Sequence, residues 1–344
     1  MSSQTVLDLS FLECVSYLES IGEKSFRAKQ VFDWIYAKGV FDFDDMNNLP
    51  PGLRRQMGQD LAFPPCMVLD CTDDNAGTKK FLFQLSDGQT IETVLISAAK
   101  RLTVCVSCQA GCRFSCRFCA SGIGGWVRDL TCGEILMQIL QAQKQVQRKI
   151  THVVFMGTGE PLDNWAQVKK AIEIINSAEG MDIAARRITV STCGLLPGLE
   201  EIAALGRQIE LAVSLHGYND ETRQRLMPVN KTYPLEDLLE ACRRYVQKTK
   251  RQITFEYIVI DGVTYRDEAP AALEKLLKGL LCKVNLIPYN PVKEFEWTAP
   301  SRNVMYRFRD ALMAEGVHAT IRWSRGEKAK GACGQLRIYQ KERE

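Results

Sequence analysis

The sequence predicts an α/β protein whose core is an open, partial barrel of six parallel strand–helix units. Two observations predict this class. Short apolar runs alternate with helix-length amphipathic segments between residues 103 and 288, which is typical of parallel βα units. Six such units are too few to close an eight-stranded barrel, so we expect an open one with its site at the carboxyl ends of the strands.

The pattern divides the chain into four predicted segments. Residues 1–60 show helical periodicity and predict an N-terminal helical accessory domain. Residues 61–97 predict a β-hairpin extension, because strand-like runs lie on both sides of the turn sequence Ser86-Asp-Gly88. Residues 98–327 form the predicted core, and residues 328–344 form a C-terminal tail.

Within the core, each predicted strand is a short apolar run, and the helix that follows it repeats its apolar residues at helical spacing. The predicted strands are Thr103–Ser107, His152–Met156, Arg187–Ser191, Ile209–Leu215, Ile253–Ile260 and Lys283–Pro288. The helices between them are Leu130–Val146, Trp165–Ser177, Gly198–Leu205, Leu235–Val246 and Ala269–Lys278. A helix at Ser301–Glu315 and a short strand at Ala319–Trp323 follow.

A cysteine-rich loop follows the first predicted strand. Cys112, Cys116 and Cys119 stand in a C-x3-C-x2-C arrangement. Iron–sulfur clusters are normally held by four thiolates, so three would leave one iron of a [4Fe–4S] cluster open, as a catalytic metal site requires. Cys108 offers an alternative, four thiolates on tetrahedral zinc, although zinc sites usually combine two C-x2-C pairs and this loop has one.

Composition limits the class of protein. The 344 residues include 13 cysteines, and we find neither a leader sequence nor an apolar stretch long enough to span a bilayer. So many thiols indicate metal or redox chemistry in a reducing, cytoplasmic compartment, although Cys14, Cys242 and Cys282 are predicted to be small core residues. The net charge of +3 neither requires nor excludes a nucleic-acid partner.

Polar residues follow four of the predicted strands and would face one cavity. They are Gly157-Thr-Gly-Glu160-Pro161, Ser191-Thr-Cys193, Ser214-Leu-His216 and Pro288-Tyr-Asn290-Pro291. Glu160 can accept a hydrogen bond from an ammonium group, and the other side chains can bind a carboxylate, a ribose or a purine. Each signal is weak alone, since turns use glycine anyway and His216 by itself is more often a satisfied structural group. Their repetition at successive strand ends is the stronger signal.

Two further residues each have two interpretations. Glu92 lies in a predicted strand, where a carboxylate either faces solvent, which is the commoner case, or is retained for chemistry. Cys333 lies between small residues in a basic segment. It is either an ordinary surface thiol or a nucleophile that nearby cations activate. The residues alone leave both choices open.

Together these motifs resemble the RlmN/Cfr family of radical SAM methyltransferases, which methylate adenine in RNA. The resemblance runs from Phe26-Arg-Ala-Lys-Gln-Val to Cys333-Gly-Gln-Leu. The three-cysteine motif alone indicates radical SAM enzymes in general, whereas the combination of Cys105 with Cys333 is far more specific. The resemblance implies a partial (β/α)6 radical SAM barrel, in agreement with the fold that periodicity predicts.

The resemblance also implies a role for each site residue. The implied [4Fe–4S] ligands are Cys112, Cys116 and Cys119, and the implied S-adenosylmethionine-binding residues are Gly159, Glu160, Ser191, Ser214, Leu215, His216 and Asn290. Cys333 would carry the methyl group and Cys105 would resolve the covalent intermediate. Glu92 would accept a proton, which replaces the solvent-facing interpretation of that carboxylate.

In the implied scheme, one S-adenosylmethionine methylates Cys333 and a second is cleaved at the cluster to a 5′-deoxyadenosyl radical. This radical takes hydrogen from the methylated cysteine, and the resulting methylene radical adds to carbon 2 of adenine, which is too electron-poor for polar methylation. After loss of an electron and of a proton to Glu92, Cys105 attacks the sulfur of Cys333, so that a transient disulfide forms and the methylated base is released. A side chain is thus the covalent carrier, and the cofactor performs the hardest step.

The implied substrates are an adenine in the peptidyl-transferase centre of 23S rRNA and, for many members, the tRNA adenine next to the anticodon. Thr158 stands where the family usually has Met, and Cys108 and Cys193 stand where it usually has Ser. These departures leave open methylation at carbon 8 of adenine, the Cfr-type alternative, although Glu160-Pro161 favours methylation at carbon 2. The candidate phosphate-contacting residues, chosen on charge alone, are Arg54, Arg55, Arg243, Arg244, Arg325 and Lys328.

We further expect a flavodoxin-type electron donor, a monomer, and neither a membrane nor a DNA partner. Two alternatives differ in class. A radical SAM enzyme of another reaction type would not need Cys333, and a zinc-bound, non-enzymatic RNA-binding protein would be colourless and free of iron.

Overall fold

The first part of the chain is helical, as predicted. The structure is a computed structural model that describes residues 5–323 and 331–336. A capping box of Ser10 and Glu13 begins the first helix, since each residue satisfies a backbone N–H of the other. The three helices are α1 (Phe11–Ser20), α2 (Phe26–Phe32) and α3 (Pro51–Asp60). Their buried faces belong to the same hydrophobic cluster as the barrel.

A ten-stranded mixed sheet runs through the described part of the chain. Its first four strands are antiparallel neighbours, β1 (Cys66–Asp73), β2 (Thr78–Leu85), β3 (Thr90–Ala98) and β4 (Arg101–Cys105). The predicted hairpin is β2–β3, with β1 on its outer side and β4 joining it to the core. Two short strands, β5 (Gln109–Gly111) and β6 (Trp126–Asp129), pair with each other on either side of the cysteine loop.

From β4 onward the sheet is parallel. It continues through β7 (His152–Phe155), β8 (Ile188–Thr192), β9 (Glu210–Ser214), β10 (Ile253–Val259), β11 (Cys282–Pro288) and β12 (Ala319–Ile321). The helices among them are α4 (Cys132–Val146), α5 (Trp165–Asn176), α6 (Leu196–Ala204), α7 (Asp220–Leu226), α8 (Leu235–Thr249), α9 (Ala269–Leu277) and α10 (Arg302–Ala314). Within the described residues β1 and β12 each have one neighbour in the sheet, so the barrel is open, as predicted.

A buried glutamine of α4 joins the antiparallel and parallel parts of the sheet. The side-chain oxygen of Gln138 accepts hydrogen bonds from Thr93 Oγ1 at 2.8 Å and from Ser107 N at 2.9 Å. Its amide nitrogen donates to Ser107 O at 2.9 Å. Successive side chains of a strand point to opposite faces. Since Thr93 faces α4, its neighbour Glu92 faces the interior of the barrel.

Within the described ranges, no helix is both long enough and apolar enough to cross a membrane.

Candidate active site

A cavity of about 160 Å³ lies at the carboxyl ends of the parallel strands, and we call it the strand-end cavity. Its wall includes the three cysteines of the loop and polar residues from successive strand ends: Cys112, Cys116, Cys119, Gly159, Glu160, Ser191, Ser214 and His216. Of the residues predicted to surround S-adenosylmethionine, Leu215 and Asn290 lie outside this wall, and both are buried.

The turn after β7 lies so close to the loop after β4 that two glycines are required. A Cβ atom at Gly157 would lie 2.6 Å from Val106 O, and one at Gly159 would lie 2.6 Å from Gln109 Cβ. Gly159 also has a φ of 106°, which side chains rarely adopt. The glycines therefore let the backbone of this turn form part of the cavity wall.

Glu160 is a buried carboxylate held by backbone groups of two loops. Its oxygens accept hydrogen bonds from Leu162 N at 3.0 Å and from Cys193 N at 2.7 Å. Burial raises the pKa of Glu160, and these hydrogen bonds oppose the rise. Each oxygen keeps acceptor capacity, so a cationic group in the cavity would find a fixed partner.

His216 is also fixed by the backbone. Its Nδ1 accepts a hydrogen bond from Ile258 N at 3.0 Å, so Nε2 carries the proton of the neutral ring. The ring packs edge-on against Phe118, with 4.7 Å between centroids. Burial, together with the charge of Arg223, lowers the pKa of His216 to about 3. The histidine is therefore both a satisfied structural group and a neutral part of the cavity wall.

Sequence reasoning missed Arg223, a fully buried arginine of α7. Its guanidinium donates to Cys193 O at 2.7 Å, to Leu215 O at 3.2 Å and to Asn230 Oδ1 at 2.7 Å. It therefore ties together the segments that follow β8 and β9. An arginine in a short polar helix is normally solvated, so the local pattern contained no signal for its burial.

A second cavity, of about 270 Å³, lies on the side of the antiparallel strands, and we call it the sulfur cavity. Its wall contains both Cys105 and Cys333. Burial, and to a lesser extent the proximity of Cys333, raises the pKa of the Cys105 thiol to about 12, and the charge of Arg322 opposes this rise. The residues common to both walls are Met156, Ile287, Arg322 and Cys333. Cys333 thus lies at the junction of the two cavities.

Hydrogen bonds to its backbone oxygens dock the segment around Cys333 onto the cysteine loop and the segment after β11. Asn290 Nδ2 donates to Cys333 O at 2.9 Å. Ala120 N donates to Gly334 O at 2.7 Å, and Ser121 Oγ donates to Leu336 O at 2.8 Å. The Cys333 side chain remains exposed. Asn290 therefore holds the thiol-bearing segment against the strand-end cavity.

Glu92 is buried, with 1% of the residue exposed, so its solvent-facing interpretation is wrong. Lys80 Nζ lies 2.6 Å from the Glu92 carboxylate in a buried ion pair. Glu92 faces the barrel interior on the same side of β3 as Val94, which lines the sulfur cavity. Glu92 itself lies outside the walls of both cavities.

The thiols fit an iron–sulfur cluster better than zinc. The Sγ atom of Cys108 points to Thr158 O, 3.8 Å away, and Cys108 lies outside the strand-end wall. In the described residues, no three His, Cys, Asp or Glu side chains converge to hold a metal ion. A zinc ion needs its sulfur ligands at about 2.3 Å from one point. A cluster binds each thiolate at a separate iron, so three thiols that line one cavity, as Cys112, Cys116 and Cys119 do, suit it.

The candidate phosphate contacts are scattered. Arg54 hydrogen-bonds to Asp44 O, and Arg55 is exposed. Arg243 is exposed, and Arg244 pairs with glutamates of α6 and α8. Two further candidates, Arg325 and Lys328, lie outside the described residues, as does the predicted boundary between the core and the tail.

The family models and the relatives above 40% identity agree on one family. Residues 106–273 match the model of the Radical SAM superfamily, and residues 5–62 match that of the ribosomal RNA large subunit methyltransferase N-terminal domain. The chain is 46% identical over 328 residues to the probable dual-specificity RNA methyltransferase RlmN of Clostridioides difficile (strain 630), with 94% of this chain and 95% of that protein covered. It is 43% identical to the same-named protein of Geobacillus thermodenitrificans (strain NG80-2), with 99% and 94% covered.

Among solved structures, a radical SAM methyltransferase from Sphaerobacter thermophilus has the same fold over nearly the whole length. The TM-score is 0.94 at 43% sequence identity, with 97% of this chain and 99% of that chain covered.

Proposed function

This chain belongs to the RlmN family of radical SAM enzymes and is an S-adenosylmethionine-dependent RNA methyltransferase; from this premise we propose that it methylates carbon 2 of adenine through a methyl carrier at Cys333. One observation carries the proposal: Cys333 lies in the wall common to the strand-end and sulfur cavities. A residue in that position can receive a methyl group on one side and meet the Cys105 thiol on the other.

The family implies S-adenosylmethionine and a [4Fe–4S] cluster, and we assign both to the strand-end cavity. Cys112, Cys116 and Cys119 would hold the cluster, and Glu160 would accept from the amino group of the cofactor. The remaining assigned cofactor-binding residues are Gly159, Ser191, Ser214, Leu215, His216 and Asn290. When bound, these groups supply the methyl group and the hydrogen-abstracting radical chemistry that an electron-poor ring carbon requires.

The chain's own side chains then perform nucleophilic and proton-transfer steps. The Cys333 thiolate forms the new S–C bond to the methyl group as the sulfonium S–C bond of the methyl donor breaks and a neutral thioether leaves. Once that carbon is joined to the base, the adduct would return one electron to the bound cluster. Glu92 takes the proton from carbon 2, and Lys80 holds the carboxylate in place. Cys105 next attacks the sulfur of Cys333. An S–S bond forms and the S–CH₂ bond breaks. The electron pair of the broken bond passes to carbon, which takes a proton to become the methyl group.

The Cys105–Cys333 disulfide is transient in this proposal and must be reduced by an external dithiol before the next turnover. All thirteen cysteines lie within the described residues and are free thiols, which suits the resting state of such a cycle.

The relatives are named dual-specificity RNA methyltransferases, and we propose the same for this chain. Its substrates would be an adenine in the peptidyl-transferase centre of 23S rRNA and the tRNA adenine next to the anticodon. Extruding the base costs a few kcal/mol, which contacts to the RNA backbone offset. The proposed contacts are the basic residues Arg54, Arg55, Arg243, Arg244, Arg325 and Lys328. In the proposed division of the chain, residues 1–60 form the accessory domain and residues 61–97 supply Glu92. Residues 98–327 form the core, and residues 328–344 form the tail. We also propose a cytoplasmic monomer that receives electrons from a flavodoxin-type donor and binds no DNA.

Mass spectrometry of nucleosides tests the proposal. An rRNA fragment and a tRNA, both unmodified transcripts, are incubated anaerobically with enzyme, reductant and S-adenosylmethionine. We expect 2-methyladenosine from both RNAs and none with Cys333→Ala. Formation of 8-methyladenosine would place the enzyme with the Cfr-type activity, and product formation without Cys333 would favour another class of radical SAM reaction.

A further inference from the structure

Arg322 contributes to the walls of both cavities. It follows β12, where its backbone N–H donates to Leu286 O at 2.9 Å and continues the pairing with β11. Its Nη1 atom lies 3.4 Å from Met156 Sδ and 3.5 Å from Glu256 Oε1. Met156 is itself common to the two walls. The guanidinium therefore lies at the junction that also contains Cys333.

Glu256 is the anion that faces this guanidinium. It is 5% exposed and lines the strand-end cavity. Asn285 Nδ2 donates to its Oε1 atom at 3.3 Å, while its Oε2 atom has no hydrogen-bond partner among the described residues. Burial raises the pKa of Glu256, and the charge of Arg322 opposes the rise. A buried carboxylate with an unsatisfied oxygen is costly, so the fold alone gives little reason to keep this pair.

The sulfur atom of Cys105 needs a cation nearby if it is to react as a nucleophile. A thiolate, not a thiol, is the nucleophile, and burial disfavours the thiolate. Cys105 is in that situation, with the charge of Arg322 acting in the opposite direction. In turn, a thiolate at Cys333 raises the pKa of Arg322 above its ordinary value, and Glu256 and Cys105 add to the rise. Among the described residues, the wall of the sulfur cavity contains one other charged side chain, that of Arg101. Arg101 hydrogen-bonds to Thr103 Oγ1 at 3.0 Å and lies at the opposite end of β4 from Cys105.

We propose that Arg322 stabilises the thiolate of Cys105, and that Glu256 is the positioning residue that holds the guanidinium between the two cavities. The proposal rests on the proposed function only for the use made of this thiolate. The Cys105 thiol gives its proton to solvent, and its thiolate later forms the S–S bond as described above.

The rates of thiol alkylation test this proposal without any methyl transfer. Anaerobic holoenzyme is treated with iodoacetamide at pH 7.5, and the rate constant for each cysteine is followed by peptide mass spectrometry. An opposite charge within a few ångströms changes a thiol's thiolate fraction by about tenfold or more. We therefore expect Arg322→Gln to slow alkylation of Cys105 about tenfold. Arg322→Lys, which keeps the charge, should stay within about threefold of the wild type.

Two internal controls make the result interpretable. Arg101→Gln removes another arginine of the same cavity wall and should leave the alkylation rate of Cys105 unchanged. Cys14 and Cys242 are fully buried, so they react only if the chain unfolds. If Arg322→Gln exposes them, Arg322→Lys decides. A wild-type alkylation rate for Cys105 then supports the proposal, and a tenfold loss despite the retained charge overturns it.

A double-mutant comparison tests the role of Glu256. If Glu256 positions the guanidinium, then adding Arg322→Gln to Glu256→Gln should change the alkylation rates less than about threefold, against about tenfold in the wild-type background. Wild-type alkylation rates in folded Arg322→Gln would overturn the proposal. If no methyladenosine forms and the rates still depend on Arg322, the proposed function fails while this inference stands.

Discussion

The strand-end cavity and the sulfur cavity are built in different ways. The first is made of short motifs that follow consecutive parallel strands, and backbone hydrogen bonds fix its Glu160 and His216. The second joins Cys105 of β4 to Cys333 of the docked segment 331–336, and these two residues are far apart in the sequence. Local turns of a parallel sheet therefore suffice to hold a cofactor, whereas the covalent chemistry needs distant segments brought together. We therefore expect a mutation in one cavity to abolish that cavity's function and to leave the other cavity intact.

The largest effect is expected in the strand-end cavity. Cys116→Ala should remove nearly all iron and all methylation, because two thiolates no longer hold a cluster that needs three. Cys108→Ala is the matched control in the same loop, and since its thiol lies outside the cavity wall we expect it to keep iron. Iron content and the visible spectrum after anaerobic purification measure both. Equal metal loss in the two variants, with zinc in the wild type, would instead support a four-thiolate zinc site.

The next effect should leave the strand-end cavity intact. Cys105→Ala should retain its iron but stop within its first turnover, with RNA joined covalently to Cys333, because no second thiol displaces the bound carbon. A denaturing gel of labelled RNA, followed by peptide mass spectrometry, detects the adduct. Cys71 is an exposed cysteine of β1, and Cys71→Ala should turn over normally.

The double variant Cys105→Ala, Cys333→Ala is the stricter control, since it should form no adduct. An adduct in that variant would show that some other residue carries the methyl group. Loss of iron in Cys105→Ala would contradict the separation between the two cavities.

The same contrast explains how much of the molecule the sequence could predict. The parallel strands were predicted because strands buried on both faces are near-continuous apolar runs, and the strand-end residues follow directly from them. Strands β1, β5 and β6 were not predicted, since the first is largely exposed and the other two have only three and four residues. Patterns this short or this polar do not differ from those of loops.

Buried charges were the hardest part of the site to predict. The burial of Glu92 depends on Lys80 in the neighbouring strand, and the tight turn of the hairpin sets the register that brings them together. Two charges on the inward faces of a predicted hairpin were the available signal, but side-chain alternation alone does not show which face is inward. Only the tertiary fold brings Cys105 and Cys333 into one cavity wall, so only the family resemblance could suggest that they act as a pair.

The smallest expected effect concerns stability and again separates the two cavities. His216 has a folded-state pKa of about 3, whereas an unfolded histidine has a pKa of about 6.5. Between these values the unfolded chain binds a proton that the folded chain does not, so stability is lost as pH falls below about 6.5. By pH 5 the loss from this one group should be on the order of 2 kcal/mol.

His216→Gln should therefore weaken the fall in thermal midpoint between pH 7.5 and pH 5, even if the variant is less stable at pH 7.5. His318→Gln is the matched control because that histidine is exposed, and it should keep the wild-type fall. If the thermal midpoints of His216→Gln and His318→Gln fall equally between pH 7.5 and pH 5, the His216 ring is not held neutral by the backbone N–H of Ile258 and the packing of Phe118. The strand-end cavity would then be less rigid than its hydrogen bonds indicate. The contrast with the sulfur cavity would in that case rest on chain topology alone.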